Sequence, residues 1–154
     1  MKKKISESIV ETSQLVLPGD TNLLGNLLGG QTMHWIDITA ALTASRHSNK
    51  KVATVSIDKI NFKKPIAQGE MVCLKSQLVW VGRTSMIIDV DVFAEDLISG
   101  RRRKTTEARL TFVALDENTR PCEVPGIEFE NDEQKMLFDE IQKQVDLKKI
   151  QGEI

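Results

Sequence analysis

Apolar residues change their period twice along the chain, and each change marks an element. Ile9, Val10, Leu15, Val16 and Leu17 form a short apolar segment that Pro18-Gly19-Asp20 stops, which predicts a strand over Ile9–Leu17 and then a turn. After the pair Gly29-Gly30, the residues Met33, Ile36, Asp37, Ala40, Ala41 and Ala44 recur three and four apart, so a helix is expected over about 30–47. Beyond Ser48-Asn49-Lys50-Lys51 the period falls to two. Ala53, Val55 and Ile57 share a parity that then slips to Ile60 and Phe62, predicting a long strand with a bulge near Asp58-Lys59. Val72, Leu74, Leu78 and Trp80 alternate before the turn Gly82-Arg83, and Ile88, Val90, Val92 and Ala94 alternate after it. A last strand carries Ala108, Leu110, Phe112 and Ala114, reached through a loop from Asp96 to Lys104. Asn131-Asp132-Glu133 can cap a tail helix with the stripe Leu137, Phe138, Ile141 and Val145.

The order is strand, long helix, then four strands joined by short turns. It buries its apolar surface best as an α+β fold in which a curved antiparallel sheet of five or so strands wraps the one central helix. Residues 1–126 would form that domain and residues 127–154 a charged helical tail, expected to dock on it. A sheet of this kind leaves an open edge, so two subunits are expected to join edge to edge as a homodimer.

Charge narrows the function. Lys and Arg number 21 against 22 Asp and Glu, a net charge of -1, so no global field draws in nucleic acid or an anionic membrane. No window approaches the ~20 apolar residues of a membrane span. Lys2-Lys3-Lys4 is followed by the polar Ile5-Ser6-Glu7-Ser8 rather than by a signal-peptide core, and Cys73 and Cys122 lack metal-type spacing. A cytoplasmic protein with reduced thiols and no metal site is the expectation.

Asp37 is the residue that asks for chemistry. It shares a helical face with methyl groups, where a carboxylate must be neutralised, paired or used. One reading makes it a catalytic acid or base; the other a carboxylate satisfied by Thr39 or Thr43, or an interface residue. The glycines before it suggest an answer, because the first N–H groups of a helix have no intrahelical partner and glycine leaves them approachable. Gly30 N–H is thus a candidate oxyanion donor, unless Gly29-Gly30 only turns the chain.

Four segments together resemble the hotdog-fold acyl-CoA thioesterases, the acyl-CoA hydrolase family: Asn26-Leu27-Leu28-Gly29-Gly30; Trp35-Ile36-Asp37 with Ala40-Ala41 and Arg46-His47; Phe62-Lys63-Lys64-Pro65-Ile66 before Gly69; and Gly82-Arg83-Thr84-Ser85-Met86. The resemblance implies a hotdog fold and hydrolysis of acyl-CoA to free acid and CoA. It needs no cofactor beyond the CoA of the substrate. It places Asp37 at the family's acidic position, as general base or nucleophile, and Asn26 at a polar position that orients water or thioester. Leu28 departs from the aromatic or histidine often found before the glycines. The family's active site lies on a seam between subunits, and its dimers frequently assemble into hexamers. That fits the spacing here, because Gly30 and Asp37 lie about 10 Å apart along the helix axis. For the CoA phosphates, Arg83, Thr84 and Ser85 are the main candidates, with Lys63 and Lys64 nearby and the run Arg101-Arg102-Arg103-Lys104 a lesser one. Two other functions use the same fold: a noncatalytic acyl-CoA sensor, which needs no carboxylate at the thioester, and a hydratase or dehydratase, for which His34 and His47 are poorly spaced.

Overall fold

The computed structural model describes residues 1–152. Its elements are β1 (Lys2–Lys4), β2 (Val10–Leu15), α1 (Gly29–Ser48), β3 (Lys51–Phe62), β4 (Met71–Val81), β5 (Ser85–Glu95), β6 (Arg102–Leu115), β7 (Gly126–Glu128) and α2 (Asp132–Ile150). Five strands make one antiparallel sheet in the order β2-β4-β5-β6-β3. Alternation puts Leu74, Leu78, Ile88, Val90, Leu110 and Phe112 on its inner face, fully or almost fully buried against Ile36, Ala40 and Ala44 of α1. Removing a side chain of this size from water stabilises the fold by about 1.5–3 kcal/mol. Ala40 and Ala44 bring the helix close to the sheet, and the buried hydroxyls between them are paired. Thr39 Oγ1 donates to Trp35 O at 2.8 Å, while Ser76 Oγ bonds the Thr43 hydroxyl and reaches Thr39 O at 3.0 Å.

The helix begins and ends within a residue of its expected limits. Its stop is set by Asn49, which takes the left-handed conformation at φ 56° and returns its N–H to Ser45 O. Strand order is where the structure departs from the sequence reading. β3 pairs with β6, at the far edge, and the connection after Phe62 carries the chain across to put β4 beside β2. Two register shifts interrupt β3: one between Ile57 and Lys59, at the anticipated bulge, and an unanticipated one between Thr54 and Ser56. β6 starts at Arg102, so most of the basic run is strand rather than loop. A parallel ladder between β1 and β7 was also not foreseen, since three lysines carry no strand pattern.

The tail helix packs on the outer face of the sheet. Ile141 and Val145 are buried against Val79, Trp80 and Ile87, and Trp80 Nε1 donates to Gln142 Oε1 at 2.8 Å. Asn131 caps it by accepting from Gln134 N–H. β3 is an outer strand of the sheet, and Val55 is 60% exposed on it.

His47 closes the far end of α1. It is wholly buried, its Nε2 donates to Pro125 O at 2.8 Å, and Nδ1 has no partner among the described residues. Burial pushes its pKa below the ordinary 6.5. The unfolded chain therefore takes up a proton that the folded protein refuses. Stability is fully present above pH 6.5 and falls as pH drops below it. We expect the melting temperature to fall between about pH 7.5 and about pH 5.5, and His47→Gln to remove part of that fall; identical pH dependence in both proteins would place the loss elsewhere.

Candidate functional site

The approach to α1 is folded by its own side chains. Asn22 Oδ1 accepts from Leu24 N–H at 2.9 Å and Asn26 N–H at 3.2 Å, closing a tight loop in which Gly25 takes φ 79°. Leu27 N–H donates to Ile66 O at 2.7 Å and Gln68 N–H to Gly25 O at 3.0 Å, which ties the loop to the chain between β3 and β4. Leu28 then caps α1 without a side-chain acceptor, and Thr32 N–H is the first to bond back, to Leu28 O. The amides of Gly29, Gly30 and Gln31 thus stand ahead of the ladder. A Cβ on Gly29 would touch the Phe62 ring at 3.7 Å, whereas one on Gly30 would meet open space. Asn22, Asn26, Gly29, Phe62, Lys63 and Lys64 line a cleft of about 300 Å³ at this helix start. Amides outside the ladder and the positive end of a helix suit a carbonyl oxygen that gains negative charge; Gly29 lines the cleft, whereas Gly30 stands just outside its lining.

Asp37 lies elsewhere, two turns along α1 and outside the lining of that cleft. It is half-buried on the flank of the helix rather than within its apolar stripe, and its Oδ1 accepts from Thr54 Oγ1 at 2.7 Å. Thr39 and Thr43 do not satisfy it, since both hydroxyls bond within the core. His34 is exposed, and His47 is committed to Pro125. Thr54 and Asn22 are the two site residues that sequence reasoning missed. Nothing in a strand pattern marks one threonine as a carboxylate's partner, and Asn22 is one of two asparagines in a short polar loop.

Arg83 and Thr84 sit with Gly82 in the β4–β5 turn and Ser85 opens β5, all away from the cleft. Gly82 N–H donates to Ser85 O, and a Cβ at Gly82 would come within 2.7 Å of the Trp80 ring, so only glycine fits. The turn opens onto a second cavity of about 720 Å³ on the outer face. Lys63, Lys104, Arg103 and Arg102 of the other candidate cations are already engaged. Lys63 pairs with Glu107, and that carboxyl is held down to about 2 by hydrogen bonds from Lys63 and then Lys104. Lys104 also reaches Asp91 at 3.0 Å. Arg103 grips both oxygens of Glu70 and Pro65 O, and Arg102 stacks over Phe93 at 4.5 Å. Among the described residues, Lys64 and Arg83 have no ion pair. Among the same residues no three His, Cys, Asp or Glu side chains are grouped to hold a metal ion, and no helix is long and apolar enough to cross a membrane.

Comparison with known proteins places this geometry. An uncharacterized acyl-CoA thioester hydrolase, YkhA, of Bacillus subtilis is 43% identical over 129 residues, covering 84% of this chain and 74% of that protein. A hexameric acyl-CoA thioesterase solved in its apo form superposes with a TM-score of 0.91 at 38% identity, over 98% of this chain and 97% of that one. An acyl-CoA hydrolase from Staphylococcus aureus, solved with butyryl coenzyme A and coenzyme A, superposes with a TM-score of 0.88 at 33% identity, over 98% and 92% of the two chains. Alanine variants of that hydrolase have been solved at an aspartate, at an asparagine fifteen residues before it and at a threonine seventeen residues after it. Asn22, Asp37 and Thr54 are separated in the same way. The thioesterase superfamily matches residues 24–100, and the chain, with α1 wrapped by a five-stranded antiparallel sheet, belongs to that hotdog-fold family.

Proposed function

We propose that the protein hydrolyses acyl-CoA to a free fatty acid and CoA at sites shared between the two subunits of a homodimer. One observation carries the reading: the free amides at the start of α1 and the Thr54-held carboxylate of Asp37 occupy one helix, about 10 Å apart, too far to serve one carbonyl. A two-fold partner joined along the β3 edge supplies the missing half of each site. Asp37 of one subunit takes a proton from water, the hydroxide adds to the thioester carbon, and Gly30 N–H of the other receives the oxyanion. Collapse of the tetrahedral intermediate expels CoA as the thiolate. Direct attack by the Asp37 carboxylate is the variant of this scheme that uses the same groups.

Thr54 fixes which way the carboxylate points. We assign the orienting amide to Asn22 as well as Asn26: the backbone turn occupies Asn22 Oδ1 and leaves its NH₂ to donate into the cleft. The spacing of the Staphylococcus aureus variants supports Asn22 and Thr54. Gly29 clears the path to the amides. Lys64 and the Arg83-Thr84-Ser85 segment serve the phosphates, while Lys63 is held by Glu107. Residues 1–126 hold all of these groups. The hexameric relative supports a trimer of such dimers, and the free thiols of Cys73 and Cys122 support a cytoplasmic setting. The test is release of free thiol from a panel running from acetyl- to palmitoyl-CoA. Turnover of at least one member is expected, and none across the panel would reject the reading.

A further inference from the structure

The outer-face cavity contains more than the Arg83 turn. Its apolar wall includes Trp80 and Val145, and its polar rim brings Arg83 together with Lys148 and Lys149 from the last turn of α2. On the side of β3 it begins at Val55 and Ser56, the two residues that follow Thr54 across the first register shift. Trp80 and Val145 are themselves largely covered, and it is the three cations gathered at one rim that match a nucleotide, ammonium and guanidinium against phosphate oxygens. The volume of about 720 Å³ lies within the ~300–1,000 Å³ of small-molecule sites. None of the three cations has an ion pair among the described residues. The acid at the cavity, Asp58, accepts from the hydroxyls of Ser56 and Thr111, each at 2.6 Å.

We propose that Lys148 and Lys149 complete the CoA subsite, joining Arg83 to hold the phosphates of its nucleotide, while the segment Thr54–Ser56 connects that subsite to Asp37. The proposal rests on acyl-CoA being the substrate. Within it, α2 is both a packing element and one wall of the binding site. The lysines also offset the negative end of their own helix, a role that acts on stability and not on the nucleotide.

The experiment replaces both residues in the full chain, Lys148→Gln with Lys149→Gln. The variant is assayed with an acyl-CoA and with the same acyl group carried on pantetheine, which lacks the nucleotide. The KM for acyl-CoA should rise about tenfold, the scale of a lost charge-assisted contact, with kcat unchanged. The KM for the pantetheine thioester should stay as it was, and Lys148→Arg with Lys149→Arg should restore the first value. A KM for acyl-CoA within about twofold of the original, or an equal rise with both substrates, overturns the proposal. If the unaltered protein hydrolyses no acyl-CoA, the hydrolase reading fails by itself. Calorimetric titration with CoA then decides the subsite: tenfold weaker binding by the glutamine variant supports it, and equal binding or none by the unaltered protein rejects it.

Discussion

Asp37→Asn should lose on the order of 10²–10⁴ in turnover, the scale of a positioned general base, while leaving the fold intact. Asparagine is nearly isosteric, and its Oδ1 can still accept from Thr54 Oγ1, which holds the native carboxylate at 2.7 Å. Half-burial on the flank of α1 means that no core contact is lost, so the melting free energy should stay within about 0.5 kcal/mol of the original. The loss should appear in kcat, because the amide neither takes a proton from water nor attacks the thioester. Thiol release with a saturating acyl-CoA, beside a thermal melt, measures both. Turnover within about threefold of the original would remove Asp37 from the chemistry.

Gly30→Ala should separate activity from stability in the opposite sense. The new methyl meets no protein atom, and alanine is a better helix former than glycine by up to about 1 kcal/mol, so the variant should fold at least as well. Helical Cβ atoms lean toward the N-terminus, which puts this methyl in the path of a carbonyl approaching the amide. Turnover should fall by ~10²–10³, as when an oxyanion donor is removed. Refolding this variant together with Asp37→Asn then tests the seam directly. In each hybrid dimer one site receives a native Gly30 from one subunit and a native Asp37 from the other, and the second site is doubly defective. Random association makes half the dimers hybrid and returns about a quarter of the original activity from two nearly inactive parents. A mixture no more active than its parents would place both groups in one subunit's site and overturn the shared arrangement.

Local features were legible in the sequence and pairings were not. α1 could be read to within a residue because its three-and-four spacing is bounded by a glycine pair and a polar stop. The face of each central strand could be read because alternation there is strict. That β3 lies beside β6 depends on which strand covers which, and periodicity is silent on that. Thr54 shows the same gap on the scale of one residue: its role appears only when β3 is laid against α1, and the shift that follows it leaves no apolar signature. Lys63 reads as a free cation until β6 brings Glu107 to it. Asn22 and Asn26 are indistinguishable in sequence, and only the folded turn shows that Asn22 Oδ1 is the acceptor that closes it.

Both halves of the proposed chemistry ride on a single rigid rod, and that makes α1 a ruler. Each residue added or removed between Gly30 and Asp37 would shift the acid by 1.5 Å and swing it through about 100°. Two-fold symmetry would impose the same error on both seams at once. On the proposed scheme an insertion or deletion in this stretch would therefore silence every site of the dimer together, whatever the walls around it.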